Sequence, residues 1–72
     1  MLKDENMEPK INKRLKKAII DTGMSQRDVS KLAGVKEWNL SLIARGRLNP
    51  TVDEQRRIAR VLGVRPTDIF DR

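Results

Sequence analysis

Histidine and cysteine are both missing from this 72-residue chain, and tyrosine with them. Without them there is no thiol nucleophile, no imidazole base, no disulfide and no Cys/His zinc site. Aromatics are reduced to Trp38 and Phe70. Long apolar runs are lacking too. None exceeds three residues, as in Ala18-Ile19-Ile20, far short of the roughly 20 residues that cross a bilayer. No leader of basic, apolar and small-residue zones is present, so a cytoplasmic, nucleoid-associated protein is expected and no membrane partner. A domain of this size buries only about 60% of its unfolded surface. With disulfides and Cys/His metal sites gone, regular helix packing and dimerisation are left to stabilise it. No cofactor and no metal are expected.

Charge is what the chain has in quantity. Lys and Arg number 16 against 10 Asp and Glu, a net +6. Residues 1–8 carry Asp4, Glu5 and Glu8 against Lys3 and read as a flexible arm, with Met7 an alternative start. Residues 9–72 read as one domain holding 15 basic and 7 acidic residues, a net +8. An excess of positive charge on the folded part points to a polyanion such as nucleic acid.

The pattern is helical throughout, with no sustained strand alternation. Pro9 suits a first helical position. Ile11, Leu15, Ala18 and Ile19 follow as one apolar stripe, flanked by Lys10, Lys13, Arg14, Lys16 and Lys17, which read as a solvated row. Gly23 ends this first helix. Ser25 and Asp28 form a weaker relative of the capping box, and Met24 with Val29 a hydrophobic staple. Val29, Leu32 and Ala33 give the second helix its expected inward face, and Gly34 stops it. The third helix spans about 36–44, with Leu40 and Ile43 as its core pair and Val35 at its entry. Thr51-Val52-Asp53-Glu54 is a full capping box opening a fourth helix through Ile58, Ala59 and Leu62 to Gly63. Arg56, Arg57 and Arg60 on that helix read as solvated. Pro66 starts a last short helix whose Ile69 and Phe70 either complete the core or form a dimer contact.

The second and third helices, joined by Ala33-Gly34-Val35-Lys36, make a helix–turn–helix pattern. Gly34 supplies the positive φ that the turn needs. Ser30 is the small residue where the two helices cross, and Leu40 and Ile43 face back onto the core.

Taken together, Met24-Ser25-Gln26, Gly34-Val35, Ile43, Gly46, Asn49-Pro50-Thr51, Ile58-Ala59 and Leu62-Gly63-Val64 resemble the lambda-repressor/Cro-type (XRE) helix-turn-helix family. The resemblance covers residues 10–70. It implies an all-α, five-helix bundle whose third helix enters the DNA major groove. It implies that Gln26 clamps a phosphate and supports the third helix, and that Glu37, Trp38 and Leu42 face bases. It places Lys36 and Asn39 at the protein–DNA boundary and Arg45 and Arg47 on the far phosphates. Many members carry an Arg where this chain has Ile19 and a Glu where it has Ala44, forming a partly buried ion pair. Both partners are apolar here, a replacement that can be neutral or stabilising. Gln55 stands where members usually have an apolar residue.

Two of the implied readers are unusual, because bases are more often read by Arg, Lys, Asn or Gln. Leu42 suits a thymine methyl. Trp38 lies two positions from Leu40, roughly 200° around the helix, and therefore points outward, to touch a methyl or stack at the backbone. Glu37 either accepts from a cytosine amine or serves as a first-turn acid favouring the helix dipole.

The resulting expectation is a sequence-specific double-stranded-DNA binder. It would be a small bacterial or phage-type transcriptional regulator and repressor, acting as a homodimer on a palindromic operator. The alternative on the same fold is a protein-interaction module, an antitoxin-like partner or an adaptor. The apolar Trp38 and Leu42 favour that alternative. An enzyme is not expected, since no nucleophile–base pair through His or Cys and no phosphate-binding glycine loop is present.

Overall fold

The computed structural model describes residues 11–70, in which five α-helices follow one another. They are α1 (Lys13–Thr22), α2 (Gln26–Ala33), α3 (Glu37–Ala44), α4 (Val52–Leu62) and α5 (Pro66–Ile69). No strand occurs among the described residues. The arm at residues 1–8, Met7 and Pro9 lie outside them.

The first helix starts later than the apolar stripe suggests. It begins at Lys13, and Ile11 precedes it, 51% exposed, rather than joining the core. Asn12 is the physical reason. Its Oδ1 accepts from the Leu15 N–H at 2.9 Å, the geometry of an N-cap, which fixes where helical dihedrals begin. The same residue ties two other helix ends. Its Nδ2 donates to the Ile69 carbonyl at 2.7 Å, and its backbone N–H donates to the Ala44 carbonyl at 2.9 Å. The start of α1 is thus bonded to the last residues of α3 and α5. These carbonyls would otherwise lack partners, because a helix leaves its final C=O groups unsatisfied.

The other helix boundaries follow their local signals. Ser25 accepts from the Asp28 N–H while Asp28 accepts from the Ser25 N–H, so the capping box forms despite its Asp. Thr51 and Glu54 form the same reciprocal pair at α4. α5 opens on Pro66, and Asp68 accepts from the Arg65 N–H at 3.0 Å.

One hydrophobic cluster gathers residues from all five helices: Leu15 and Ile19; Val29 and Ala33; Leu40, Ile43 and Ala44; Ile58, Ala59 and Leu62; Ile69. Val35 and Phe70 complete it from the flanking positions. α2 packs on α3 and α4, while α1 reaches α3, α4 and α5. Met24 packs against the cluster as a staple residue should. Ile69 and Phe70 are 2% and 6% exposed, which makes them core rather than a dimer contact. Ile19 and Ala44 are buried in the same cluster, so the apolar replacement of the family's ion pair holds together. Leu32 departs from the expected inward face: it is 66% exposed, and Ser30 takes its place among the buried residues of α2. Ser30 is tolerated there because its Oγ donates to the Arg27 carbonyl at 2.7 Å.

Asn12→Ala should remove both the cap and the donor to Ile69, costing about 2 kcal/mol from one lost cap and one orphaned carbonyl. Asn12→Asp keeps the cap acceptor and puts a carboxylate oxygen in place of the donor to the Ile69 carbonyl. It should leave α1 intact while speeding hydrogen exchange at the Phe70 amide, which bonds the Pro66 carbonyl. Thermal melting with amide exchange checks this; an Asn12→Ala variant as stable as the parent contradicts it.

Candidate nucleic-acid interface

The turn between α2 and α3 decides where α3 points. Gly34 sits there at φ 71°, in the left-handed region that a Cβ disfavours. Its N–H donates to the Lys31 carbonyl, and the Val35 N–H donates to the Ser30 carbonyl at 3.0 Å, closing the end of α2. Among the carbonyls left at that end are those of Ala33 and Gly34. Arg57 of α4 reaches both: its Nη1 donates to each at 3.3 Å. Asp53, one turn earlier on α4, holds the Arg57 Nε at 3.0 Å and aims the guanidinium. A cation at a helix C-terminus is favoured by the dipole as well as by the hydrogen bonds. Arg57 is exposed, as its sequence context suggests, but its guanidinium is engaged with these partners rather than left to solvent. Arg56 and Arg60 are exposed, in keeping with that reading.

The turn having set its direction, α3 buries Leu40, Ile43 and Ala44 and turns its other side outward. At about 100° per residue, Trp38 and Leu42 lie roughly 160° to either side of Leu40, opposite the core face. Trp38 is 67% exposed, and Leu42 is half-buried. Asn39 is half-buried beside them. Lys36 is the N-cap residue of α3, makes no side-chain cap bond and is exposed. Arg45 is the C-cap residue and Arg47 follows in the loop, both exposed. The Arg47 N–H donates to the Leu42 carbonyl at 2.9 Å, which folds this basic loop back against the end of α3.

Glu37 opens α3 and stands 3.9 Å from the Nε of Arg27 on α2. Both side chains are exposed, so this pair adds little stability, but it places a cation against the acid. Gln26 is the first residue of α2, half-buried beside Lys16, Ile19, Ile20 and Met24 at the α1–α2 groove. α3 thus carries Lys36 at its N-cap, Trp38 and Leu42 along its outward side and Arg45 at its C-cap, with Arg47 just beyond it. The basic row of α1 is exposed and apart from α3 in sequence, and its Lys17 pairs with Asp21 at 3.2 Å.

Sequence reasoning missed three residues that support this surface: Asn12, Arg57 and Gln55. The Gln55 Nε2 donates to the Pro50 carbonyl at 3.4 Å, tying the α3–α4 loop to α4. This accounts for a polar residue at a half-buried position. The residues before Lys13 contained a usable signal, an Asn at a helix start. Arg57 gave none, because its partners lie 23 and 24 positions away.

With this geometry established, comparison with known proteins is direct. A family model described as helix-turn-helix matches residues 15–69. Among solved structures, the chain is similar to the restriction-modification controller protein C.AhdI from Aeromonas hydrophila. That likeness has a TM-score of 0.77 at 24% identity, covers 82% of this chain and 89% of the other, and concerns the fold. No curated protein matches the chain in sequence.

A Cβ on Gly34 would lie 2.9 Å from the Arg57 Nη1. Gly34→Ala should therefore cost about 1 kcal/mol or more from backbone strain, and more with Arg57 present than without it. The double variant with Arg57→Ala should show a coupling of about 0.5 kcal/mol or more in denaturant unfolding. Strict additivity of the two substitutions would show that the guanidinium does not hold the turn.

Proposed function

The chain belongs to the helix-turn-helix family of DNA-binding regulators, and we propose that it binds double-stranded DNA sequence-specifically as a transcriptional repressor. In this reading α3 lies in the major groove. The observation that carries it is the outward face of α3, held away from the core by the Gly34 turn and bounded by the exposed cations Lys36, Arg45 and Arg47. Gln26, at the N-terminal end of α2, suits a phosphate, since its side chain and the helix N-terminus both offer donors. Lys36, Arg45 and Arg47 neutralise phosphates on either side of the groove. Glu37, Trp38, Asn39 and Leu42 meet the base edges or the groove wall. The acidic charge of Glu37 is offset by Arg27. One eight-residue helix makes few base contacts, so two copies of the chain share a palindromic site with half-sites about 34 Å apart.

This assignment makes the protein a binding module rather than a catalyst, working in the cytoplasm on the nucleoid. In the described residues no helix is long and apolar enough to cross a membrane. The protein-interaction alternative draws on the apolar Trp38 and Leu42, of which Trp38 is exposed and Leu42 half-buried.

Selection from random duplex DNA tests the proposal. A palindrome should be enriched, and its affinity should fall by about 0.9 log unit per log unit of salt for each phosphate contacted. Gln26→Ala and Arg47→Ala should weaken binding to selected and unrelated duplexes alike, because phosphate contacts carry no direct base information. Absence of enrichment, or a flat salt dependence, overturns the DNA reading and favours the protein-interaction module.

A further inference from the structure

Within α3 itself, Glu37–Ala44, the outermost line carries a single hydrogen-bonding group, the Trp38 indole N–H. Trp38 and Leu42 occupy it, one turn apart on the side opposite Leu40, and Arg45 continues it at the C-cap. The carboxylate of Glu37 lies off this line, beside Arg27. Asn39 and Ser41 sit on the flanks, about 100° to either side of Leu40, and are half-buried like Leu42. A helix with this face cannot read a groove mainly through paired donors and acceptors.

The major-groove edges of G, A and unmodified C offer nitrogen and oxygen groups, and thymine adds an apolar C5-methyl group. Placing an indole and an isobutyl group over polar edges strips their water without replacing the lost hydrogen bonds, which is unfavourable. Placing them over methyl groups removes apolar surface from water on both sides. Resting on the DNA-binding reading above, we propose that Trp38 and Leu42 form a reader of pyrimidine C5-methyl groups. It selects half-sites with thymine beneath α3 and accepts 5-methylcytosine in the same places. The two side chains are separated by about 6 Å along the helix axis, four residues at 1.5 Å each. Base pairs rise about 3.4 Å. The methyl groups read by one copy therefore lie on neighbouring or next-neighbouring pairs. The exposed cations Lys36, Arg45 and Arg47 supply affinity without distinguishing bases, which leaves discrimination to this apolar pair.

The test uses the duplex enriched from random DNA by the unaltered protein. Each thymine is replaced in turn by deoxyuridine, which keeps the pairing and the O4 acceptor and removes only the methyl group. Binding should fall about fourfold, the factor for one buried methyl group, at one or two positions of each half-site and nowhere else. At those positions a 5-methylcytosine·guanine pair should bind about fourfold tighter than cytosine·guanine. In Leu42→Ala and in Trp38→Ala, the thymine–deoxyuridine difference should vanish at one position each while thermal melting confirms a folded domain. The deoxyuridine series on the unaltered protein stands even if a variant fails to fold. Enrichment of a site at which deoxyuridine equals thymine everywhere overturns the methyl reading and leaves the DNA-binding reading standing. No enriched duplex at all overturns both.

Discussion

The clamp on the α2–α3 turn is the constraint on which the rest depends. Gly34 takes a left-handed conformation, and the Ala33 and Gly34 carbonyls at the end of α2 are bound by a guanidinium from α4. Asp53 aims that guanidinium from one turn away. The direction in which α3 leaves α2 is thereby fixed by a third helix as well as by the turn itself. The opposite end of α3 is held too, since its Ala44 carbonyl accepts from the Asn12 N–H. A short helix has little stability of its own. Its orientation is set by the two bonds at its ends and by Leu40, Ile43 and Ala44 in the core.

The core explains how so small a domain holds these ties. All five helices contribute to a single cluster, and no buried side-chain nitrogen or oxygen among the described residues lacks a partner. Replacing the family's partly buried ion pair by Ile19 and Ala44 removes a desolvation cost from that cluster. It also frees the end of α3 from an electrostatic tie, and the Asn12 backbone bond to Ala44 remains there. The polar work is moved to the periphery, where caps and the Arg57 clamp satisfy helix ends that water also reaches.

Much of this was legible in the sequence because its causes are local. Ser25, Thr51, Gly23, Gly34 and Gly63 mark helix ends through bonds spanning a few residues, and each acts where its position indicates. Leu40, Ile43, Ile58 and Leu62 fall in the core because helical periodicity places them on one face. The outward position of Trp38 follows from the same periodicity. What was not legible depends on distant partners. Leu32 is exposed because α3 and α4 pack on the face of α2 that carries Val29, Ser30 and Ala33. Ile11 is outside the first helix because Asn12 caps it at Leu15, while the further ties of Asn12 to Ala44 and Ile69, 32 and 57 positions on in the chain, were not legible. Arg57 looks like any exposed arginine until α4 packs against α2. The composition of the candidate interface could be read in advance, whereas the devices that hold it in place required the fold.

The central claim is that α3 and its basic loop, rather than the basic row of α1, meet DNA. Nitrogen-15 amide mapping during titration with the enriched duplex tests it most directly. The account predicts shift changes at Gln26 and across residues 36–47, with Lys13 to Lys17 little affected. Changes concentrated on α1, or no changes at residues 36–47 when the duplex is bound, would contradict it.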